Sequence, residues 1–277
     1  MAVAAGPLPY VWQRLPDALA LPENGRGLCV GRTQTGKTTL EARLIADYVL
    51  RYGADTLIVD SKPRFMAERM QAFGMKWPSR RLSPYKSWAA RVQPFPHSER
   101  VNLEQPNLRG IFRRRHVAIV SPENRSQWGA MWGVVRTFYG RHAKRRRLLV
   151  IDEAAQVYEQ DRAGASVITD SVARGAERDL AVAGTAQRPR WIPVSLLTEL
   201  SVLYLFELTY SKDVDHLAES GVPASLLEKL APTRTAYDAA SGEATVIEKS
   251  REEMGDPHRF YRWDFGTRQA TGPYILR

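Results

Sequence analysis

The sequence predicts an α/β fold in which a mainly parallel β-sheet is flanked by helices. At 277 residues and 44% hydrophobic composition, the chain is long enough for one large domain with a substantial core. Short β-branched runs alternate with amphipathic segments, which is the pattern of a parallel sheet with helical crossovers. Each run is nearly continuous in apolar residues, as expected of strands covered on both faces. The runs are GLCVG (27–31), DTLIVD (55–60), HVAIVS (116–121), RLLVID (147–152), LAVAGTA (180–186) and VLYLFEL (202–208).

Two longer segments between these runs have helical periodicity. Residues 38–51 place four apolar side chains on one stripe, namely Leu40, Leu44, Ile45 and Tyr48. Residues 125–142 place a second set on one face, namely Trp128, Met131, Trp132, Val135, Phe138 and Tyr139. We expect Ser121 to cap this second helix, with Pro122 in its first turn. We interpret the tryptophan and methionine stripe as core packing rather than a ligand-binding surface.

The chain divides into a core and smaller additions. Residues 1–24 are expected to form an N-terminal extension, and residues 25–220 the core. Within the core, residues 74–110 contain several prolines and little periodicity, which predicts a long irregular insertion. Residues 221–277 are expected to add short helices, a hairpin around residues 241–242, and an aromatic, basic tail.

The chain carries an excess of positive charge. Its 40 Lys and Arg residues exceed its 30 Asp and Glu residues, for a formal charge of +10. This balance favours contact with polyanions, although a solvated arginine-rich surface explains it equally well. The single cysteine, Cys29, lies in an apolar run and fits a reducing compartment. The N-terminus lacks the pattern of a signal peptide and the longest apolar run is too short to span a membrane, so we expect a cytoplasmic protein.

The stretch VGRTQTGKTT (30–39) predicts a phosphate-binding loop. It matches the pattern G-x-x-x-x-G-K-[ST] between an apolar strand and a helix-periodic segment, the context that this motif requires. Its glycines permit backbone angles that turn successive N–H groups toward an anion, and the helix adds its positive end. We expect Lys37 to reach the β- and γ-phosphates and Thr38 to hold Mg²⁺. The predicted phosphate-binding residues are Gly31, Thr33, Gln34, Thr35, Gly36, Lys37, Thr38 and Thr39.

Two further polar signals follow apolar strands. In RRLLVIDEA, Asp152 is expected to hold the metal through water, and Glu153 to polarise an attacking water. Consecutive Asp and Glu residues indicate hydrolysis rather than kinase chemistry. In AVAGTAQRP, Gln187 ends a strand and could sense the γ-phosphate; the alternative is a side chain that merely caps the strand end.

These three motifs, in this order, resemble the FtsK–HerA superfamily of DNA-pumping ATPases over about residues 25–220. The resemblance implies a RecA-like core, ATP and Mg²⁺ at subunit interfaces, a ring of six subunits, and double-stranded DNA in the central channel. It also gives Gln187 a sensor role. An arginine from the adjacent subunit completes such sites, and here Arg178 is favoured, with Arg174 close behind; either could instead be an ordinary surface residue.

Within that superfamily, a nearly bare motor domain most resembles the genome-packaging ATPases of membrane-containing viruses. The expected function is therefore an ATP-driven translocase of double-stranded DNA that packages a viral genome. A capsid vertex or a membrane-associated packaging protein would be its partner, in the host cytoplasm or associated with the virion. The alternatives are a nucleotide-dependent assembly or secretion factor of a phage, and a HerA-like DNA-repair translocase.

Two basic clusters precede strands and should lie at the sheet edge opposite the nucleotide. We expect them to bind DNA through phosphates, hence without strong sequence preference. The alternative is that they are solvated strand flanks. The expected DNA-binding residues are Arg113, Arg114, Arg115, Lys144, Arg145, Arg146 and Arg147.

Overall fold

Nine strands form one sheet in the computed structural model, which describes residues 15–60, 98–114, 117–122, 124–140, 145–237, 244–256 and 258–276. The eleven strands of the described residues are β1 (Arg26–Val30), β2 (Asp55–Val59), β3 (Ser98–Arg100), β4 (Val117–Val120), β5 (Arg147–Ile151), β6 (Leu180–Ala186), β7 (Val202–Leu205), β8 (Thr233–Tyr237), β9 (Ala244–Glu248), β10 (Arg259–Asp264) and β11 (Gln269–Ile275). The order across the sheet is β11-β10-β7-β1-β6-β5-β2-β4-β3, and β8 and β9 pair separately. Strands β1 to β7 are parallel, as predicted.

Helices cover both faces of this sheet. They are α1 (Lys37–Tyr52), α2 (Leu108–Arg114), α3 (Trp128–Gly140), α4 (Ala154–Gln160), α5 (Arg162–Arg174), α6 (Val194–Thr198), α7 (Ser211–Glu219), α8 (Ala224–Leu230) and α9 (Arg251–Met254). The apolar stripe of α1 packs on one face, and α3, α4 and α5 pack on the other. The predicted α/β class and RecA-like architecture are therefore confirmed. In the described part of the chain, no helix combines the length and the apolar character needed to cross a bilayer.

The helix after β4 begins later than predicted. A 3₁₀ turn at Arg125–Gln127 precedes α3, and the capping side chain is Asn124, whose Oδ1 accepts from the backbone N–H of Ser126 at 3.1 Å. The prediction that Ser121 is the cap is wrong because Ser121 lies buried directly after β4, four residues before the turn starts at Arg125. The predicted stripe does pack into the core: its buried members are Met131, Trp132, Val135 and Phe138.

Both flanks of the predicted core belong to the fold. Leu15, Leu19 and Leu21 join the hydrophobic cluster around α1, and the backbone N–H of Leu15 donates to Asp47 Oδ1 at 2.9 Å. Residues 98–110, expected to be irregular, contain β3 and the start of α2. The rest of the predicted insertion, residues 74–97, lies outside the described residues.

The C-terminal segment completes the main sheet. α8 and the antiparallel pair β8–β9 are present as predicted, and the predicted turn around residues 241–242 lies outside the described residues. Strand β10 then pairs antiparallel with β7, and β11 pairs antiparallel with β10. The stacking of Phe260 on Phe206, with ring centroids 5.1 Å apart, fixes this pairing in the core. The core therefore does not end at residue 220, and the tail is part of the sheet.

Candidate active site

The loop between β1 and α1 has the backbone of an anion-binding concavity. Gly31, Gln34 and Gly36 have φ values of +152°, +65° and +97°. Left-handed residues of this kind turn neighbouring N–H groups to one side, and α1 begins immediately afterwards at Lys37. Only glycine fits the first position, because a Cβ atom on Gly31 would lie 2.6 Å from Cβ of Phe206.

Polar contacts fold the loop onto itself and onto the residues that follow β7. Lys37 Nζ donates to the carbonyl of Arg32 at 2.6 Å, and Thr35 Oγ1 donates to the same oxygen at 2.9 Å. The lysine ammonium is therefore held within the loop. The backbone N–H of Arg32 donates to the carbonyl of Glu207 at 2.8 Å, and the side-chain Nε of Arg32 lies 2.8 Å from Glu207 Oε1. These two contacts connect the loop to the residues that follow β7.

Strand register brings the predicted site residues to one edge of the sheet. Val30 of β1 lies opposite Ala186 of β6, so Gln187 follows at the level of the loop. Ile151 of β5 lies opposite Gly184, so Asp152 follows at the level of Thr185. Carboxyl ends of parallel strands share one edge, which places the acidic pair and the phosphate loop on the same side of the molecule.

The hydroxyl of Thr185 links the two acidic residues. Thr185 Oγ1 donates to Asp152 Oδ1 at 2.9 Å and accepts from the backbone N–H of Glu153 at 2.9 Å. The backbone N–H of Gln187 donates to Glu153 Oε1 at 2.8 Å. Thr33 Oγ1 in the phosphate loop donates to Gln187 Oε1 at 3.2 Å. A continuous chain of hydrogen bonds therefore runs from the acidic pair to the phosphate loop.

Glu153 has a backbone conformation that is unusual for its residue type. Its φ and ψ are +56° and +52°, in the left-handed region that favours glycine. The hydrogen bonds of its N–H and its carboxylate hold it there. Residues kept in such conformations concentrate at functional sites, because the surrounding structure must compensate for the strain.

Two further carboxyl groups were missed by the sequence analysis. Asp60 directly follows β2, and Val59 lies opposite Ile151, so Asp60 is level with Asp152. Glu41 lies one turn after Lys37 in α1, is completely buried, and its oxygens have no hydrogen-bond partner among the described residues. Each carries a signal: DTLIVD ends in Asp as RLLVID does, and Glu41 falls within the apolar stripe of α1.

Burial and neighbouring charge act together on Glu41. Loss of solvent raises the pKa of its carboxyl well above the ordinary value of 4.5, and the charges of Asp152, Glu153 and Asp60 raise the pKa further. Lys37 opposes this shift. Several buried carboxyl groups therefore lie together at the sheet edge next to the phosphate loop. Lys37 is the cation that opposes their negative charge.

The donor set suits Mg²⁺ bound together with a nucleotide. The Thr38 hydroxyl and the Asp152 carboxylate are hard oxygen ligands, and magnesium in such sites takes one or two protein ligands plus phosphates and waters. The described residues contain no group of three or more His, Cys, Asp or Glu side chains arranged to hold a metal by themselves.

The two arginines predicted to act on a neighbouring subunit lie away from this chain's own site. Arg174 ends α5 and Arg178 precedes β6, so both are at the opposite edge of the sheet, and both are exposed. The guanidinium of Arg178 lies 4.6 Å from the ring centroid of Tyr139. A role for either residue in an adjacent subunit stays a prediction.

The predicted DNA-binding arginines differ in their surroundings. Arg113 is exposed in α2, and Arg145 is exposed with Asp55 Oδ1 at 3.6 Å from its Nη1. Arg146 pairs with Glu23 and Asp179.

Arg147 is not a surface residue. Only 3% of it is exposed, and its guanidinium donates to the carbonyls of Phe138 at 2.7 Å and Tyr139 at 3.0 Å. Its assignment to DNA binding is wrong because it bonds the end of α3. Arg115, Lys144 and the side chain of Arg114 lie outside the described residues.

Together, the loop, the acidic pair and the parallel sheet define a P-loop NTPase fold of the RecA-like type. The genome packaging NTPase B204 from Sulfolobus turreted icosahedral virus 2, in complex with AMPPCP, is similar with a TM-score of 0.59 at 10% identity, over 92% of this chain and 100% of that chain. The complex of the same NTPase with ATP-gammaS has a TM-score of 0.59 at 12% identity, over 93% of this chain and 100% of that chain. The DNA-packaging ATPase B204 from Sulfolobus turreted icosahedral virus has a TM-score of 0.57 at 12% identity, over 92% of this chain and 98% of that chain.

At these identities the likeness concerns the fold, and at that level the predicted resemblance to packaging ATPases is confirmed. No protein-family model matches the chain, and no curated protein matches its sequence.

Replacing Thr185 by Val should lower the free energy of unfolding by about 1–3 kcal/mol, because the buried N–H of Glu153 loses its acceptor. Thr185→Ser keeps the hydroxyl and loses only a methyl group, so its loss should be smaller, about 0.8 kcal/mol. Urea denaturation of the two variants measures the difference. Equal losses would show that the hydroxyl contributes nothing to the site.

Glu41→Gln should become more stabilising as pH rises. Because the folded-state pKa of Glu41 is raised, the folded protein keeps a proton that the unfolded chain releases above pH 4.5, so wild-type stability falls from there up to the raised pKa. The glutamine does not titrate. The stability of Glu41→Gln relative to wild type, measured in urea without Mg²⁺ or nucleotide, should therefore be greater at about pH 8 than at about pH 5. The exposed Glu159→Gln is the control; a flat difference for Glu41→Gln would contradict the raised pKa.

Proposed function

We propose that this chain binds and hydrolyses ATP at the site formed by the phosphate loop and the acidic pair. The observation that carries the proposal is the hydrogen-bond chain from Asp152 through Thr185, Glu153 and Gln187 to Thr33. It brings together the three groups that hydrolysis needs: a phosphate cradle, a metal-binding carboxylate and a carboxylate base. The similar B204 structures, described with AMPPCP and with ATP-gammaS, support a nucleotide as the ligand.

In this proposal the phosphate loop orients the triphosphate. Backbone N–H groups of residues 31–36 and the N-terminus of α1 surround the phosphates, and Lys37 supplies the positive charge. Thr38 and Asp152 would hold Mg²⁺, which neutralises charge on the phosphate oxygens when it is bound. Thr185 keeps the Asp152 carboxylate in one orientation.

Glu153 is the proposed general base. Its Oε1 accepts from the backbone N–H of Gln187, which fixes the carboxylate at the end of β6. From there the carboxylate can take a proton from the attacking water. The Gln187 side chain accepts a hydrogen bond from Thr33 in the loop. Loss of the terminal phosphate would therefore change the contacts at the end of β6. This arrangement would couple hydrolysis to the position of β6, a central strand of the sheet.

We further propose that hydrolysis drives double-stranded DNA through a hexameric ring, in a viral genome-packaging motor of the host cytoplasm or the virion. The net charge of +10 and the exposed Arg113 and Arg145, at the edge opposite the nucleotide, support DNA as the polyanion. The printed descriptions of B204 as a genome packaging NTPase and a DNA-packaging ATPase support the same direction. Arg174 or Arg178 would complete a neighbouring site, and a capsid vertex or membrane-associated packaging protein would be the partner.

Two variants test the ATPase proposal. Lys37→Ala should abolish ATP binding measured by calorimetry, because the cation at the phosphates is lost. Glu153→Gln should bind ATP but lower the rate of phosphate release by about 100-fold or more, since the base is removed. The matched controls are the exposed Lys212→Ala and Glu159→Gln. Full turnover by Glu153→Gln would eliminate Glu153 as the base.

DNA stimulation tests the motor proposal. Double-stranded DNA should raise the ATPase rate of the wild type, with little dependence on sequence and a steep dependence on salt. In Arg113→Ala/Arg145→Ala, the ratio of the DNA-stimulated rate to the basal rate should fall toward one. Arg136→Ala/Lys212→Ala removes the same charge at exposed positions that belong to neither basic cluster and should keep the wild-type ratio. A wild type indifferent to DNA would favour an assembly or secretion factor.

A further inference from the structure

The C-terminal strands touch the phosphate loop at its second glycine. A Cβ atom built on Gly36 would lie 2.9 Å from Leu276 Cδ1 and 3.5 Å from His258 Nδ1. His258 stands just before β10 and Leu276 just after β11. The backbone N–H of Leu276 donates to the carbonyl of His258 at 3.2 Å, so the two ends of the β10–β11 pair meet at the loop.

The catalytic residues fix which way a nucleotide would lie across this loop. β1 lies between β6 and β7 in the sheet. Gln187 and the acidic pair are on the β6 and β5 side, so the terminal phosphate points that way. The nucleoside must then extend from the N-terminus of α1 toward the other side, where β7, β10 and β11 lie. Leu276, His258 and, behind them, Phe206 are the side chains nearest Gly36 on that side.

The two side chains have the shape and chemistry for a nucleobase. His258 presents an exposed planar ring, and Leu276 a partly buried apolar chain packed against the core. A rigid aromatic stack lies behind them: Phe206 and Phe260 have centroids 5.1 Å apart, and Phe260 and Tyr274 5.4 Å. Flat aromatic bases stack on such rings with little regard to their identity.

We propose that His258 and Leu276 form the nucleoside wall of the ATP site, with the base stacked on the imidazole of His258. The inference rests on the proposed ATP site and adds to it the part of the protein that recognises the nucleoside. It assigns the C-terminal β10–β11 pair a ligand-binding role in addition to its structural one.

The test compares a ligand that has a base with one that lacks it. His258→Ala should weaken binding of ATP and AMP by about tenfold, the cost of one lost stacking contact. Its affinity for inorganic tripolyphosphate should stay at the wild-type value. His258→Phe keeps a planar ring and should restore ATP binding. Ile275→Ala, at the exposed neighbouring position of β11, is the control and should leave both affinities unchanged.

Three other results of these binding measurements would contradict the proposal. Unchanged ATP affinity in His258→Ala would overturn the nucleoside wall. Equal weakening of ATP and tripolyphosphate would overturn it too, because His258 would then act on the loop and not on the base. Failure of the wild type to bind either ligand would instead overturn the proposed ATP site, and the wall with it.

Discussion

The hydroxyl of Thr185 is the contact on which the site depends most. It bonds to both members of the acidic pair, and it does so because β5 and β6 are paired in parallel with Ile151 opposite Gly184. A slip of one residue in that register would turn Thr185 to the other face of the sheet and separate it from Asp152. The phosphate loop joins the same arrangement through Gln187 and Thr33. The orientation of the carboxylates and the conformation of the loop therefore both depend on the register of the sheet.

This arrangement gathers negative charge inside the protein. Asp60, Asp152, Glu153 and Glu41 are all buried near one sheet edge, with Lys37 as the nearby cation. Burying carboxylates near each other costs folding free energy, which is commonly recovered when a cation or ligand binds. Bound Mg²⁺ would add positive charge at this edge and would offset the repulsion between the carboxylates and the phosphates of a nucleotide. A site of this kind trades stability for binding, as functional sites often do.

The sequence predicted the elements that carry a strong local signal. Continuous apolar runs located β1, β2, β4, β5, β6 and β7, because strands covered on both faces leave little room for polar residues. Strand β3 was missed because it is only three residues long at the sheet edge. β10 was missed because it pairs with a strand distant in sequence, and its aromatic, basic composition gave no continuous apolar run.

The site residues also divide into those with a local sequence signal and those placed by tertiary neighbours. The phosphate loop, Asp152 and Glu153 follow from motifs that are contiguous in the sequence. Thr185 does not, because its role depends on which strand lies beside β6. Arg147 was assigned to a surface from its place in a basic run, whereas its burial depends on the carbonyls at the end of α3. Tertiary neighbours, which a single sequence does not display, decided both.

A crystal structure with Mg²⁺ and a non-hydrolysable ATP analogue would show whether the phosphate loop and the acidic pair bind one nucleotide. We predict phosphates enclosed by residues 31–38, Mg²⁺ about 2.0–2.1 Å from the Thr38 hydroxyl oxygen, and the Glu153 carboxylate directed at the terminal phosphate. An analogue bound elsewhere, or an acidic pair turned away from the phosphates, would contradict this prediction.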